Sequence, residues 1–416
     1  MRPPVNLPHL VVVFDGGSAS PLELLSNAEG IAELSFAVPK GSAEVADHLD
    51  LLHEIAPVHE FTRGEPLAIL EVIGRPDGIV SFADPGIEPA ARLAEALSLP
   101  SVGSSAARLL RDKFLQRTRL CERGSRGPDF LVPVDGASTP GLGSLEFPAI
   151  LKPRAGYGSR HTYPIEGPDE LLTRLDQLAA QGLPGETFIL ESILHADADV
   201  AGPEWGDYIS VESAVVAGAP THLGVSGRFP ITPPFRETGM FFPDNLHEAV
   251  RAEAFAEATK AIEALGVQNG LCHTELKLTS EGPTVIEVNG RLGGLVDSLL
   301  CQRHPGALIR AAYAIALGRH DVMREELASI DSDAVSYHIS LYPKVEGTVV
   351  GIRGVEEMGR HPGVEAIRVL KRPGDVVSVD MGTFGETVLM LGTAPTHDEV
   401  LRILKTSHTT IGIATT

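Results

Sequence analysis

A pair of carboxylates facing each other across a β-hairpin is the feature that most restricts how this chain can fold. The segment Leu271–Arg291, LCHTELKLTSEGPTVIEVNGR, reads as two strands joined by a turn at Ser280–Pro283. Side chains alternate between the two faces of a strand, so a turn centred on Glu281 sets Glu275 directly opposite Glu287. Like charges at opposed positions repel each other. The hairpin therefore needs a compensating partner.

The partner predicted from these residues is a hard divalent cation. Glu287 shares one strand face with Val285 and Asn289 in this reading, and Glu275 faces it from the first strand. Glu275, Glu287 and Asn289 offer the oxygen ligands that Mg²⁺ or Mn²⁺ prefers, with phosphate oxygens completing the shell. Arg291 follows at once, where a guanidinium can pair with a phosphoryl group or a carboxylate. The alternative is the solvated outer face of an ordinary hairpin, which explains one stray carboxylate better than this E-x-N-x-R cluster.

The order of the apolar segments predicts an α/β protein with several packed units. A buried strand at His9–Phe14 leads into a glycine turn, and a second strand at Gly78–Phe82 precedes a helix at Pro89–Leu97. A short strand at Pro100–Gly103 follows. Strands that alternate with helices indicate a parallel sheet, so we expect an open α/β domain over residues 1–105.

The middle of the chain carries a lysine at a strand end, followed by a loop of small residues. Lys152 ends the predicted strand, and the loop Gly156–Ser159 comes directly after it. Glycine N–H groups can close on phosphate oxygens while a lysine adds a point charge. There is no Gly-Lys dipeptide, so this is not a Walker A loop. Such a loop is more often an ordinary turn, and Lys113, on the predicted helix Leu109–Leu120, would ordinarily lie on the surface.

Taken together, these segments resemble the ATP-grasp superfamily, and within it the carboxylate–amine ligases that join L-amino acids. The hairpin resembles the metal-binding end of that fold, and Lys113, Lys152 and the glycine loop stand in the order of its phosphate-binding groups. Phe188–Ile193 resembles the strand whose backbone reads adenine, and Asp207 takes the place of a ribose-binding acid that is more commonly Glu. A solvated turn residue is the alternative for Asp207. The nucleotide-binding residues implied by the resemblance are Lys113, Lys152, Gly156, Gly158, Ser159, Glu191, Ile193 and Asp207.

The segment Phe235–Pro243 resembles a loop that lines the acceptor pocket of L-amino-acid ligases. Relatives often carry His at the position of Met240, and Asp at the position of Leu295. These two departures from the family pattern concern the identity of the substrate rather than the nucleotide chemistry. The substrate residues expected here are Glu237, Arg228, Met240 and Leu295. Met240, Phe241, Phe242 and Leu295 suggest an apolar pocket, whereas Arg228 and Arg236 could pair with a carboxylate or lie on the surface.

The resemblance extends over nearly the whole chain and fixes the expected domain order. It implies a two-lobed ATP-grasp domain over residues 106–330 and a small C-terminal α+β cap over 331–416, in which Gly351–Glu356 resembles the C-terminal subdomain of L-amino-acid ligases. The expected fold class is thus α/β and α+β, with an N-terminal open α/β domain before the grasp. His222, His247 and His338 are interpreted as ordinary polar or capping residues.

Composition excludes several classes of partner. A net charge of −21 and a pI of about 5.1 argue against nucleic-acid binding, which needs a basic surface. No apolar run approaches the ~20 residues of a membrane span. Three cysteines without zinc spacing are expected in a reducing cytoplasm. The sequence leaves open whether the chain forms a homodimer.

The reaction expected from the resemblance is ATP-dependent ligation of a carboxylate, an amino acid by preference, to an amine. It would pass through an acyl phosphate and release ADP and phosphate, with Arg291 and Lys152 as catalytic groups and Mg²⁺ or Mn²⁺ as cofactor. No general base for the amine is evident. The alternatives are a carboxylase or a kinase of the same fold, and a nucleotide-binding scaffold without turnover.

Overall fold

The computed structural model describes residues 7–128, 131–134, 146–183, 188–328, 330 and 333–416. The predicted boundary at residue 331 lies outside the described residues. In the described part, no helix is long and apolar enough to cross a membrane.

The N-terminal unit is an open parallel sheet of four strands in the order β3-β2-β1-β4. Its elements are β1 (His9–Val13), α1 (Pro21–Ser26), β2 (Glu33–Pro39), α2 (Ala43–Ala46), α3 (Leu49–Ile55), β3 (Val58–Phe61), a 3₁₀ turn (Pro66–Ile69), α4 (Leu70–Ile73), β4 (Gly78–Val80) and α5 (Asp84–Ala96). The predicted α/β pattern is confirmed. The predicted strand at Pro100–Gly103 is wrong, because those residues form a bend, in which the Ser101 and Val102 carbonyls accept from the backbone N–H groups of Asn269 and Gln268.

The predicted helix Leu109–Leu120 is two helices, α6 (Ser104–Arg111) and α7 (Lys113–Glu122). Asp112 between them is extended, with φ −107° and ψ 104°, and its carboxylate accepts from the N–H groups of Phe114 and Leu115. The side chain thus caps the second helix. The break puts Lys113 in the first turn of α7 and aims it at the site described below.

A small antiparallel sheet and a large sheet form the two lobes of the middle region. The small sheet, in the order β5-β8-β6-β7, comprises β5 (Leu131–Val134), β6 (Ala149–Pro153), β7 (Tyr163–Ile165) and β8 (Phe188–Ser192), with α8 (Pro168–Ala180) packed on it. The large lobe contains α9 (Ala198–Ala201), β9 (Tyr208–Val216), β10 (Ala219–Arg228), β11 (Gly239–Phe242), α10 (Glu248–Leu265), β12 (Gly270–Thr279), β13 (Gly282–Asn289), α11 (Val296–Leu300), α12 (Ala307–Ala316) and α13 (His320–Leu327).

The C-terminal region continues the large sheet instead of forming a sheet wholly its own. The eight strands run β13-β12-β9-β10-β11-β14-β18-β16, so β14 pairs directly with β11. The remaining elements are β14 (Val335–Leu341), β15 (Gly347–Arg353), α14 (Val355–Met358), β16 (Val364–Val369), β17 (Val376–Val377), a 3₁₀ segment (Val379–Gly385), β18 (Val388–Ala394), α15 (His397–Thr410) and β19 (Gly412–Thr415). Strands β17, β15 and β19 form a separate three-stranded sheet.

The core is shared between these regions. Helix α12 packs against the N-terminal sheet, where the Tyr313 hydroxyl donates to the Leu24 carbonyl at 2.8 Å and its ring meets Phe82 edge-on. The division at residues 105 and 330 stays a prediction, and the apolar contacts cross both positions. Their effect is to hold the ends of β12 and β13 against the N-terminal unit, which positions the site.

Candidate active site

The hairpin β12–β13 brings the two predicted carboxylates together by means of a bulge. The turn is the two-residue Ser280-Glu281, so the strands start in a register that would not oppose Glu275 and Glu287. An irregularity at Ile286 shifts the register by one residue, and Glu275 then pairs with Glu287. The predicted shared face of Val285, Glu287 and Asn289 is wrong for Val285. The bulge turns that side chain into the core.

Two cavities meet at this hairpin. The first, of about 210 Å³, lies between the small and large sheets and is called here the nucleotide cavity. The second, of about 590 Å³, lies between the large sheet, the N-terminal unit and the C-terminal region, and is called the substrate cavity. Tyr157, Gly158, Glu237 and Glu275 line both of them. A group held in one cavity is therefore adjacent to a group held in the other.

The predicted site residues distribute between the two cavities. The nucleotide cavity is lined by Lys113, Lys152, Gly156, Gly158, Ser159, Glu191, Ile193, Asp207, Glu275 and Glu287. The substrate cavity is lined by Arg228, Met240, Arg291 and Leu295, together with Glu237 and Glu275. Asn289 lines neither of them; it is buried opposite His273. The roles assigned to all these residues from the sequence stay predictions.

Lys113 and Lys152 each hold a carboxylate in the nucleotide cavity. The ammonium of Lys113 is ion-paired with Glu287 and donates to the Gly156 carbonyl at 3.1 Å. Lys152 is ion-paired with the buried carboxylate of Glu191. Burial by itself raises the pKa of Glu191, but Lys152 and the nearby Arg117 guanidinium bring that pKa below its usual value. Both lysines are therefore charged groups already directed at the cavity.

The glycine loop is held by contacts with both the C-terminal region and the N-terminal unit. Its Gly158 carbonyl accepts from the backbone N–H of Thr383 at 2.8 Å, which comes from the C-terminal 3₁₀ segment. The Tyr157 hydroxyl donates to Glu44 of the N-terminal unit at 2.9 Å, and Arg160 lies 3.6 Å from the same carboxylate. Gly158 has a φ of +64°, a conformation that favours glycine. The loop thus closes the space between all three regions.

Arg291 is oriented by an acid from the N-terminal unit. Its Nε and Nη2 donate to one oxygen of Asp84 at 3.0 and 2.6 Å, and Asp84 is the first residue of α5. Burial by itself raises the pKa of Asp84, but the Arg291 guanidinium brings that pKa below its usual value. Asp84 was not predicted as part of the site. Its sequence signal is only an Asp two residues after the predicted strand Gly78–Phe82.

A buried charge network supports Glu275. His273 Nδ1 lies 2.7 Å from Glu212 and its Nε2 lies 3.5 Å from Glu275. Burial by itself lowers the pKa of His273, but the two carboxylates raise it above its usual value, and the imidazolium holds the pKa of Glu275 low. Arg228, 1% exposed, lies 3.3 Å from Glu237. The alternative that Arg228 and Arg236 are surface residues is wrong, because both are buried.

The remaining substrate expectations are met in part. Met240 lines the substrate cavity, whereas Phe241 and Phe242 pack in the apolar core, so the predicted apolar pocket keeps only Met240 and Leu295 of the four residues. His247 caps α10 as expected. His338 lines the substrate cavity, directly opposite Met240 on the neighbouring strand, and is not an ordinary polar residue. Strand pairing of this kind is not readable from the separate segments.

The donor atoms suit a hard cation. Glu275 and Glu287 are paired across the hairpin and both line the nucleotide cavity. One or two carboxylates plus substrate phosphates are the usual Mg²⁺ ligands. Within the described residues, no three His, Cys, Asp or Glu side chains form a metal-ligating group by themselves. Phosphate oxygens and water would complete the coordination shell.

Comparison with known proteins agrees with this geometry. A model of the ATP-grasp domain matches residues 145–298, and a model of the L-amino acid ligase C-terminal domain 2 matches residues 339–416. The chain therefore contains an ATP-grasp domain followed by a C-terminal domain of the L-amino acid ligase type. Its fold is shared with the crystal structure of an L-amino acid ligase from Bacillus licheniformis, with a TM-score of 0.74 and 18% identity over 99% of this chain and 100% of that one.

Relatives of this chain include two kinds of named ligase. Carnosine synthase 1 of Gallus gallus is 28% identical over 316 residues, which cover 68% of this chain and 32% of the relative. Alanine–anticapsin ligase of Bacillus subtilis is 28% identical over 247 residues, which cover 54% and 50%. The chain therefore spans between a third and a half of the length of these relatives. A carboxyaminoimidazole ribonucleotide synthase from Aspergillus clavatus, solved with ATP, shares the fold with a TM-score of 0.70 and 15% identity over 97% of this chain and 98% of that one.

Proposed function

We propose that this protein is an ATP-dependent ligase that joins the carboxylate of an amino acid or similar small acid to an amine. The observation that carries the proposal is the junction of the two cavities at Glu275 and Glu237. A γ-phosphoryl group held in the nucleotide cavity would lie beside a carboxylate held by the guanidinium groups of Arg228 and Arg291. The named ligases among the relatives support the same class of reaction.

The first step would activate the carboxylate. A carboxylate oxygen attacks the γ-phosphorus of ATP, the bond to the β–γ bridging oxygen breaks, and ADP leaves with an acyl phosphate formed. Lys113 and Lys152 would bind the phosphates, with the Gly156, Gly158 and Ser159 loop over them and the Ile193 and Asp207 positions at the nucleoside. Positioning and charge neutralisation are the main contributions a protein makes to such a step.

The second step would form the amide. The amine nitrogen attacks the acyl carbon, phosphate leaves, and the nitrogen loses a proton. Arg291, held by Asp84, would stabilise the charge that develops on the acyl oxygen. Glu275 and Glu287, which line the nucleotide cavity, would hold Mg²⁺; when bound, the ion would neutralise phosphate charge. Glu191 would act through Lys152, whose ammonium it fixes.

The test is a screen of amino acids, singly and in pairs, for release of ADP and phosphate, with mass detection of the condensed product. We expect ADP, not AMP, and a hydroxamate when hydroxylamine replaces the amine. Stoichiometric AMP would overturn the acyl-phosphate mechanism. If no amino acid raises ATP cleavage and hydroxylamine traps nothing, the ligase proposal is wrong.

A further inference from the structure

The C-terminal region contributes a polar wall to the substrate cavity. His338 and Ser340 lie two residues apart on β14, and Tyr342 follows at the same spacing, so all three side chains point to one face. Glu386, directly after the 3₁₀ segment, lines the same wall. The reaction proposed above does not use these residues.

Two members of this wall, the buried His338 and the half-buried Glu386, have buried side-chain atoms without a hydrogen-bond partner among the described residues. His338 is 6% exposed, and neither of its ring nitrogens has a partner among the residues that the structure describes. Oε1 of Glu386 is equally without a partner there. Buried polar groups are normally satisfied, and each exception calls for an explanation such as a ligand. Both exceptions line the cavity where a substrate would lie.

Among the described residues, no cationic side chain is ion-paired with the Glu386 carboxylate. Burial raises the pKa of Glu386 to about 7, with Ser340 opposing the rise and the Glu237 carboxylate adding to it. Arg228 is the ion-pair partner of Glu237, and Arg236 stacks on the Tyr342 ring. Burial and the positive charge of Arg228 lower the pKa of His338 to about 3. At neutral pH the imidazole is therefore uncharged and has one nitrogen free to accept.

We propose that Glu386 and His338, together with Glu237, form a subsite for a primary ammonium group of the substrate. An ammonium has three N–H donors and no acceptor. Two carboxylates and a neutral imidazole supply three acceptors, and the positive charge offsets the repulsion between the carboxylates. The proposal rests on the proposed function, because it names the ligand of the same cavity as a zwitterionic amino acid whose carboxylate faces Arg228 and Arg291.

The experiment measures binding rather than turnover. A pool of the twenty standard L-amino acids is dialysed to equilibrium against the full chain, with Mg²⁺ and a non-hydrolysable ATP analogue, and retained compounds are quantified by mass spectrometry. L-lactate, L-2-hydroxyisocaproate and L-phenyllactate are dialysed in parallel, since each replaces the ammonium of an amino acid with a hydroxyl. The variants are Glu386→Gln, His338→Leu and the control Glu356→Gln, an exposed acid of the same region.

We expect the wild-type protein to retain at least one amino acid roughly tenfold better than its hydroxy analogue, as the loss of a charge-assisted hydrogen bond implies. Glu386→Gln should remove most of that preference, His338→Leu should reduce it, and Glu356→Gln should leave it unchanged. Folding of each variant is checked by circular dichroism and the fluorescence of Trp205. Equal discrimination by Glu386→Gln and wild type, or no retention of any amino acid by wild type, would overturn the subsite.

A separate assay of ATP cleavage keeps the two proposals apart. Selective retention of amino acids without amino-acid-dependent ADP release would contradict the ligase proposal but not the proposed subsite. If the Glu386→Gln variant ligates with an unchanged KM for the amino acid, the proposed subsite is contradicted and the ligase proposal is not.

Discussion

At the scale of single residues, the site is built from carboxylates that already have cationic partners. Glu287 is paired with Lys113, and Glu191 is paired with Lys152. The repulsion between Glu275 and Glu287 anticipated from the sequence is therefore offset on one side by Lys113 and on the other by His273. Each of these side chains has both a structural and a proposed functional role, and variants must separate the two.

Glu287→Gln should abolish most turnover while leaving the protein folded. The change removes a proposed metal charge, and we expect a loss of roughly 100-fold in kcat, in line with the removal of one electrostatic group from an active site. The lost pairing with Lys113 and the relieved repulsion with Glu275 oppose each other, so the free energy of unfolding should change by less than about 1 kcal/mol. Glu281→Gln, at the exposed turn of the same hairpin, is the control. A loss of stability well above that range would identify Glu287 as structural.

Lys152→Met should weaken ATP binding and also destabilise the fold by about 3 kcal/mol at pH 7, because it leaves the Glu191 carboxylate buried without its closest cation. The double variant Lys152→Met/Glu191→Gln should recover the stability but not the nucleotide affinity. Chemical denaturation and calorimetric titration with ATP measure the two effects. Recovery of both would mean that Lys152 does not bind the nucleotide.

The same pair predicts an opposite pH dependence in the two proteins. In the wild type the folded pKa of Glu191 lies below the ordinary glutamate value of 4.5, so the stability that this carboxylate contributes is present above that pH and is lost as the pH falls. In Lys152→Met, burial would prevail and raise the folded pKa, so stability should fall as the pH rises past about 4.5. Denaturation midpoints between pH 4 and 8 test the sign.

At the scale of elements, the glycine loop and the C-terminal 3₁₀ segment fit together too closely for a side chain. A Cβ at Gly382 would stand 2.1 Å from the Gly158 carbonyl oxygen, and Gly382 has a φ of +56°. The loop proposed to cover the phosphates is thus shaped by a segment more than two hundred residues away in the chain. Nucleotide affinity should depend on that segment.

Gly382→Ala should displace the glycine loop and weaken ATP binding by roughly tenfold, about 1.4 kcal/mol, because loop N–H groups would no longer be held over the phosphates. Gly374→Ala is the matched control, since it also has a positive φ, of +103°, but has no atom within 4 Å of the added Cβ. It should cost similar backbone strain without a change in affinity. Equal affinities for the two variants would contradict a role for the contact.

At the scale of the whole molecule, the C-terminal region and the large lobe share one sheet and one aromatic junction. Trp205, the single tryptophan, packs against Phe229 and Phe241 of the large lobe, with ring centroids at 6.1 and 4.5 Å, and against His397 of α15 at 5.9 Å. Strands β11 and β14 pair across the same junction. These contacts join the two regions into one packed body.

Unfolding should therefore follow the same curve by Trp205 fluorescence and by far-UV circular dichroism, since undocking of the C-terminal region would break a continuous sheet and expose apolar core. Guanidinium titration of the full chain measures both signals on one sample. A fluorescence transition at clearly lower denaturant would indicate a C-terminal region that unfolds by itself.

Local patterns in the sequence determined the parallel N-terminal sheet, the hairpin and the order of the lysines and glycine loop, because strand alternation and turn residues act over a few neighbours. The carboxylate pair was predicted correctly, although the turn and the bulge that produce it were not. Tertiary structure alone decided that Asp84 orients Arg291, that Thr383 clasps Gly158, and that His338 and Glu386 face the substrate cavity. These contacts join residues far apart in the chain, whose meeting depends on how whole sheets pack and leaves no local signal.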